Sequence, residues 1–184
     1  MNTLSPFASL PRRAALVLLL LSGSTFAADR GALERDARAA LQRLTASVPA
    51  AKSLSGSATA VLVFPKITKA GLGIGGQYGD GVLFKGGKVA GYYNTSGASY
   101  GLQAGAQQFG YAMFLMNDKA VAALAANEGF EVGVGPSVVV MDEGKAKTVT
   151  TTTAKDDIYA FIFGQKGLMA GVGLQGNKIS RLKD

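Results

Sequence analysis

From Arg30 to Val48 the apolar side chains Leu33, Ala37, Leu41, Leu44 and Val48 recur at three- and four-residue steps, while Glu34 and Arg38 pair four apart on the other side. That periodicity predicts an amphipathic helix. Its polar face carries Arg35, Arg38 and Arg43 beside Glu34 and Asp36, so it suits either packing on a sheet or lying on a charged membrane. Pro49 is expected to end this helix, with Ser53 to Ser57 forming a small polar loop. A second helix is predicted over 118–127, with Asn117 or Asp118 as its cap, alanines and Leu124 inside, and Gly129 just past its end.

Elsewhere the period is two. Ala60 to Phe64 is a short apolar, β-branched run that reads as a buried strand closed by Pro65. Further strands are predicted at 82–84, 89–94, 111–116, 138–141, 148–153, 158–163 and 178–182, with turns at Lys85-Gly-Gly-Lys88, Asp142-Glu-Gly144 and Gly176-Asn177. Two helices with many antiparallel strands give an α+β class, a mainly antiparallel, glycine-rich sheet or partly closed barrel with an N-terminal amphipathic helix.

Four segments share an uncommon alternation. In Gly71 to Gly79 one face carries Gly71, Gly73, Gly75, Gln77 and Gly79, and the other Leu72, Ile74 and Tyr78. Gly97 to Gln107, Gly129 to Gly135 and Gly167 to Gln175 repeat it. Because successive side chains leave a strand on opposite faces, one face is nearly bare and the other is free to enter a core. Glycine weakens a strand by roughly 0.5–1 kcal/mol relative to alanine. Runs of it imply a close approach to the backbone by a helix, a neighbouring sheet, a curved barrel wall or a ligand.

The N-terminus differs in kind. Arg12 and Arg13 precede the apolar stretch Ala14 to Leu21, which runs into small residues ending Thr25-Phe26-Ala27-Ala28. This is the pattern of a cleaved secretory signal over residues 1–27, too short in its apolar part for the ~20 residues a bilayer span requires. The mature chain, 28–184, then suits one domain in the periplasm or outside the cell. With no cysteine it is neither a lipoprotein nor stapled by disulfides. Its 17 basic and 12 acidic side chains leave +5, a bias toward anionic partners spread along the chain.

Chemistry is sparsely represented. Absence of both histidine and cysteine removes the commonest general base, the thiol nucleophile and the usual zinc ligands. Gly71 to Gly76 and Gly171 to Gly176 fit the dinucleotide fingerprint G-x-G-x-x-G. Both continue in strand period, whereas that fingerprint must open a helix. Asp156 and Asp157 are adjacent and do not form a facing carboxylate pair on a strand. Ser180 and Lys183 have S-x-x-K spacing only at the chain end. No catalytic group, cofactor, metal or nucleic-acid partner is expected. Lys66 and Lys69 flank a kinked segment, Lys85 and Lys88 bracket a turn, and Tyr92, Tyr93 and Tyr100 lie close by. Such lysines suit an anionic headgroup site or the blunting of strand edges.

Five ordered motifs carry a family resemblance: Val63-Phe-Pro-Lys-Ile-Thr-Lys-Ala-Gly71; Gly75-Gly-Gln-Tyr-Gly-Asp-Gly81; Tyr92-Tyr-Asn94 with Gly97-Ala-Ser99; Gly101-Leu-Gln-Ala-Gly-Ala-Gln107; and Gln165-Lys-Gly-Leu-Met-Ala-Gly171. From about Leu33 to Leu182 the chain resembles the SYLF domain family. The resemblance implies a non-catalytic lipid-binding domain whose eukaryotic members bind phosphoinositides and in some cases actin filaments, and whose bacterial members are commonly exported. Lipid binding there goes with an N-terminal amphipathic helix and basic residues, which map to Arg35, Arg38, Arg43, Lys66 and Lys69. In an exported bacterial chain the expected lipids are phosphatidylglycerol and cardiolipin, and the helix lacks large aromatic anchors. The alternative function is a structural or protein-interaction domain of the cell envelope without lipid specificity.

Overall fold

The computed structural model describes residues 14–126, 129–131, 137–141, 155–167 and 177–183. The chain divides into two units, 1–32 and 33–184. The described backbone of the first, from Ala14, is helical and belongs to helix α1 (Ala14–Ser47). The second unit holds the rest of that helix and every other element.

The apolar stripe of α1 is used for packing. Ala37, Ala40 and Leu44 are buried, with Leu33, Leu41 and Val48 against the same cluster, which includes Val61, Val63, Val82, Phe84, Ala112 and Phe114 from the sheet. α1 ends before Pro49 as expected, with Val48 extended after Ser47, but Pro49 also opens a second helix, α2 (Pro49–Ser57), where a small polar loop was expected. Proline is well tolerated at a first helical position because its missing N–H has no intrahelical acceptor there. Burial of Ala50, Ala51 and Leu54 then holds the turn in place. Helix α3 (Asp118–Leu124) is shorter than expected, and of the two candidate caps Asn117 acts, its Oδ1 accepting from the Ala120 amide at 2.9 Å.

Two long strands, β1 (Ala60–Lys85) and β2 (Lys88–Leu115), form one antiparallel hairpin closed by Gly86 and Gly87, both with positive φ. Pro65 does not terminate the first strand. It lies in a bulge between Phe64 and Ile67, where the ladder is interrupted and its missing donor is harmless. The remaining strands are β3 (Phe130–Glu131), β4 (Val138–Met141), β5 (Ile158–Gly167) and β6 (Lys178–Arg181), in the order β3-β6-β2-β5-β4 with β1 on β2. All described pairs are antiparallel except β4 with β5. The class is therefore the expected α+β, a curled and mostly antiparallel sheet. The strand predicted at 148–153, the glycine segment 167–175 beyond its first residue, and the turns at 142–144 and 176 lie outside the described residues.

The sheet buries both faces near its base. Leu62, Phe64, Ile67, Tyr111, Met113, Ile158 and Ile179 fill the inner side with Ala120 and Leu124 of α3, and Phe64 stacks on Tyr111 with ring centroids 6.2 Å apart. The outer side meets α1 and α2, with Phe114 edge-on to Phe161 at 5.3 Å.

The bare glycine face has a structural use. A methyl group on Gly79 would lie 2.8 Å from both the Lys66 carbonyl oxygen and Ile67 Cγ1, and one on Gly81 would lie 2.5 Å from the Phe64 ring. One on Gly71 would run into the Gly75 backbone. β1 thus doubles back on itself around residues 72–74, where the ladder has a second irregularity, and only glycine leaves room for the two backbones. Of the causes that a glycine face admits, sheet curvature is the one realised at these positions.

Candidate functional site

The seven basic candidates do not form one surface. Arg38 sits where α1 crosses the hairpin turn. Its Nε and Nη2 donate to Glu34 Oε1 at 2.9 and 2.8 Å, its Nη1 donates to the Gly87 carbonyl at 3.0 Å, and its guanidinium lies 4.7 Å from the centre of the Phe84 ring. With all these partners it clamps helix to hairpin. Lys85 and Lys88 bracket the turn that Arg38 contacts; they face each other across it, both exposed, and Lys85 Nζ approaches Asp118 at the start of α3 at 3.7 Å. Arg35, one turn before Arg38, is exposed, as is Arg43 further along. Arg35, Arg38, Lys85 and Lys88 therefore belong to the two elements that meet at a basic helix–hairpin corner, where Glu34 and Asp118 each pair with one of these cations.

Lys66 and Lys69 go elsewhere, and the bulge at Pro65 explains their separation. Lys66 is exposed on the outer face and lines a cleft of about 210 Å³ with Leu33, Thr68, Tyr78 and the carboxylates of Asp36 and Asp80. Two acids offset its charge there. Tyr78 donates to Asp80 Oδ1 at 3.0 Å, and Asn94 donates to the same oxygen at 3.0 Å. Desolvation, and then the Asp80 carboxylate, push the Tyr78 hydroxyl above its ordinary range. Lys69 is only 4% exposed and points to the inner face, directly opposite Gln107. It is no surface cation, contrary to its place among the expected lipid contacts.

Beside Lys69 the inner face turns polar. Gln77, Thr95, Gln107 and Asn177 are buried, and Gln77 Nε2, Gln107 Oε1, Asn177 Nδ2 and the Tyr111 hydroxyl lack hydrogen-bond partners. Burial pushes the Tyr111 hydroxyl strongly upward. The expected aromatic contribution to a headgroup site does not materialise at Tyr93, which is buried in the inner core, and Tyr92 packs against the helix-side core. The side chain of Tyr100 lies outside what the structure describes.

Sequence periodicity missed the outer face. Leu72, Ile74 and Tyr78 were expected to be free to enter a core, yet they are 83%, 67% and 58% exposed. The bend puts glycine on its inside and forces the alternate residues out. Two further exposed lysines share that face by register: Lys166 opposite Gln108, and Lys178 opposite Ser96. Only strand order reveals them.

Other chemistry stays structural. Asp157 accepts from Asn117 Nδ2 at 2.8 Å and from the Ser137 amide at 3.0 Å, and these hydrogen bonds hold its carboxyl below the usual range. Gly71 to Gly76 lies within β1 and opens no helix, so it lacks the geometry of a pyrophosphate site. Among the described residues no cluster of metal-ligating side chains is found, and no helix is long and apolar enough to cross a membrane.

These features define a curled α+β domain with a basic helix–hairpin corner. Residues 96–184 match the model of the Ysc84 family, described as Las17-binding protein actin regulator, so this segment is similar to the Ysc84, or SYLF, family of binding domains. The matched range takes in most of β2, helix α3 and strands β3 to β6. No curated protein matches the chain.

Proposed function

We propose that the chain is a non-catalytic binding module that docks peripherally on anionic phospholipid. The observation that carries this is the basic corner. Arg38 fixes α1 to the hairpin turn, so the exposed Arg35 of α1 and the exposed Lys85 and Lys88 of the turn lie on two elements held to each other, Lys85 being partly offset by Asp118. Lysine and arginine near an anionic surface contribute about 1 kcal/mol each, so three or four suffice for salt-sensitive association without deep insertion. The similarity of residues 96–184 to a family of lipid- or actin-binding modules supports the same class. Residues 1–27 serve as a cleaved export signal, and the mature domain meets phosphatidylglycerol or cardiolipin in the periplasm or outside the cell. Phosphoinositide-type headgroups are alternative ligands of the same charge class. A protein partner is the second reading, favoured by the family description as binding a protein and regulating actin.

The test is flotation of the purified protein with neutral, phosphatidylglycerol, cardiolipin and phosphoinositide vesicles at low and high salt. A variant carrying Arg35→Gln, Lys85→Gln and Lys88→Gln is run alongside, with Arg38 kept because it holds the corner together. Flotation confined to anionic vesicles, and lost both with salt and in the variant, is expected. Absence of flotation with every composition refutes lipid docking and leaves the protein partner.

A further inference from the structure

The outer face of the β1 bend answers to no role so far described. A sheet face in water normally alternates apolar-in with polar-out. Here the outward positions of β1 from Ala70 to Tyr78 are Ala70, Leu72, Ile74, Gly76 and Tyr78, and their exposed partners on β2 include Ala98 and Ala106. No charge occurs along this stretch. Leu72 and Ile74 are the two most exposed large apolar side chains among the described residues, and they leave the bend on the side opposite the Gly71–Gly75 contact. Glycine on the inside therefore turns the segment into an apolar crest.

Its borders are polar and each carries a lysine. The rung Thr68–Gln108–Lys166 closes one end, and the rung Tyr78–Ser96–Lys178, which continues to Glu131, the other. Lys166 and Lys178 are exposed, and the Tyr78 ring is exposed while its hydroxyl is tied to Asp80. An uncharged centre, a tyrosine at its margin and lysines beyond it match the layering of a bilayer surface: acyl chains, interface, then phosphate. The occupant that fits the crest and the basic flanks together is an anionic bilayer.

We infer that the β1 bend inserts into the membrane, with Leu72 and Ile74 entering the acyl region, Tyr78 at the interface, and Lys166 and Lys178 at headgroup phosphate. This rests on the lipid reading above and adds to it the part of the fold that penetrates. The basic corner supplies attraction, and the crest supplies retention once in contact.

Because the chain has no cysteine, a single probe site is clean. Leu72→Cys labelled with a polarity-sensitive fluorophore is titrated with phosphatidylglycerol vesicles, beside Lys52→Cys on the exposed side of α2 as reference. A blue shift with intensity gain at 72 and none at 52 is expected. The unlabelled double variant Leu72→Asp, Ile74→Asp should float on the order of tenfold less well or worse, as removing two apolar anchors implies. It should keep its thermal midpoint, because neither side chain is packed in a core. Normal flotation with an unshifted probe at 72 overturns insertion while leaving lipid docking intact. No flotation of the unmodified protein overturns both. A probe shift that grows with protein concentration without vesicles shows that a second copy covers the crest, and also overturns insertion.

Discussion

Replacing Gly79 by alanine tests the doubling-back of β1 directly. The added methyl group would meet the Lys66 carbonyl oxygen at 2.8 Å, Ile67 Cγ1 at 2.8 Å and Ile67 Cα at 3.1 Å. Two of these are backbone atoms, so the strand itself has to move by a few tenths of an ångström. Overpacking of this kind costs typically ~1–3 kcal/mol. Alanine in a strand recovers ~0.5–1 kcal/mol through the unfolded chain, leaving a net loss of about 1–2 kcal/mol. For a domain of this length each kcal/mol moves the midpoint by ~2–4 °C, so Gly79→Ala should melt about 2–8 °C lower. Gly56, in α2 with nothing within 4 Å, is the control: Gly56→Ala should be neutral or stabilising. Thermal denaturation followed by circular dichroism, with urea midpoints as a second measure, decides the matter. If Gly79→Ala melts at or above the parent, β1 does not fold against itself at that position and the account of the glycine face is wrong.

Two further outcomes rest on side-chain geometry. Arg38→Ala removes the Glu34 bridge, the bond to the Gly87 carbonyl and the contact with Phe84. The loss should be about 1 kcal/mol, since each contact is partly solvated, and urea unfolding that shows none would mean the clamp is idle. Asp157 has a depressed folded pKa, so its contribution is complete above the ordinary carboxylate value, ~3.9, and is lost as pH falls through the lower folded one. The stability gap between the parent and Asp157→Asn should therefore be constant from pH 5 to 8 and narrow at more acid pH. Parallel melting profiles down to the acid limit would refute the role given to the Asn117 and Ser137 hydrogen bonds.

Local patterning determined the elements. The stripe Leu33, Ala37, Leu41, Leu44 and Val48 is the set that meets the sheet, Asn117 caps the helix it precedes, and Lys85-Gly-Gly-Lys88 forms the turn. Each depends on neighbours within a few residues, which is the range over which helix periodicity, capping and turn chemistry act. Pro49 is legible only in part at that same range: it closes α1 as expected, while its opening of α2 depends on Leu54 having a core to enter.

Tertiary structure decided the rest. Alternation along 71–79 correctly separates a bare face from an apolar one, but which of them turns inward depends on the bend that sets Gly79 against Lys66 and Ile67, 12 to 13 residues earlier in the chain. Likewise Lys66 and Lys69 read as one basic pair until the bulge sends one to an acidic cleft and the other into the sheet. Lys166 and Lys178 join the outer face only through pairing with β2. Sequence alone determined a basic, glycine-rich α+β chain with a helix shaped to pack. The side of the sheet presented to a partner, and the cations that share it, were decided by long-range strand register, because a side chain's face in a bent sheet is a property of pairing and curvature, to which no local periodicity is sensitive.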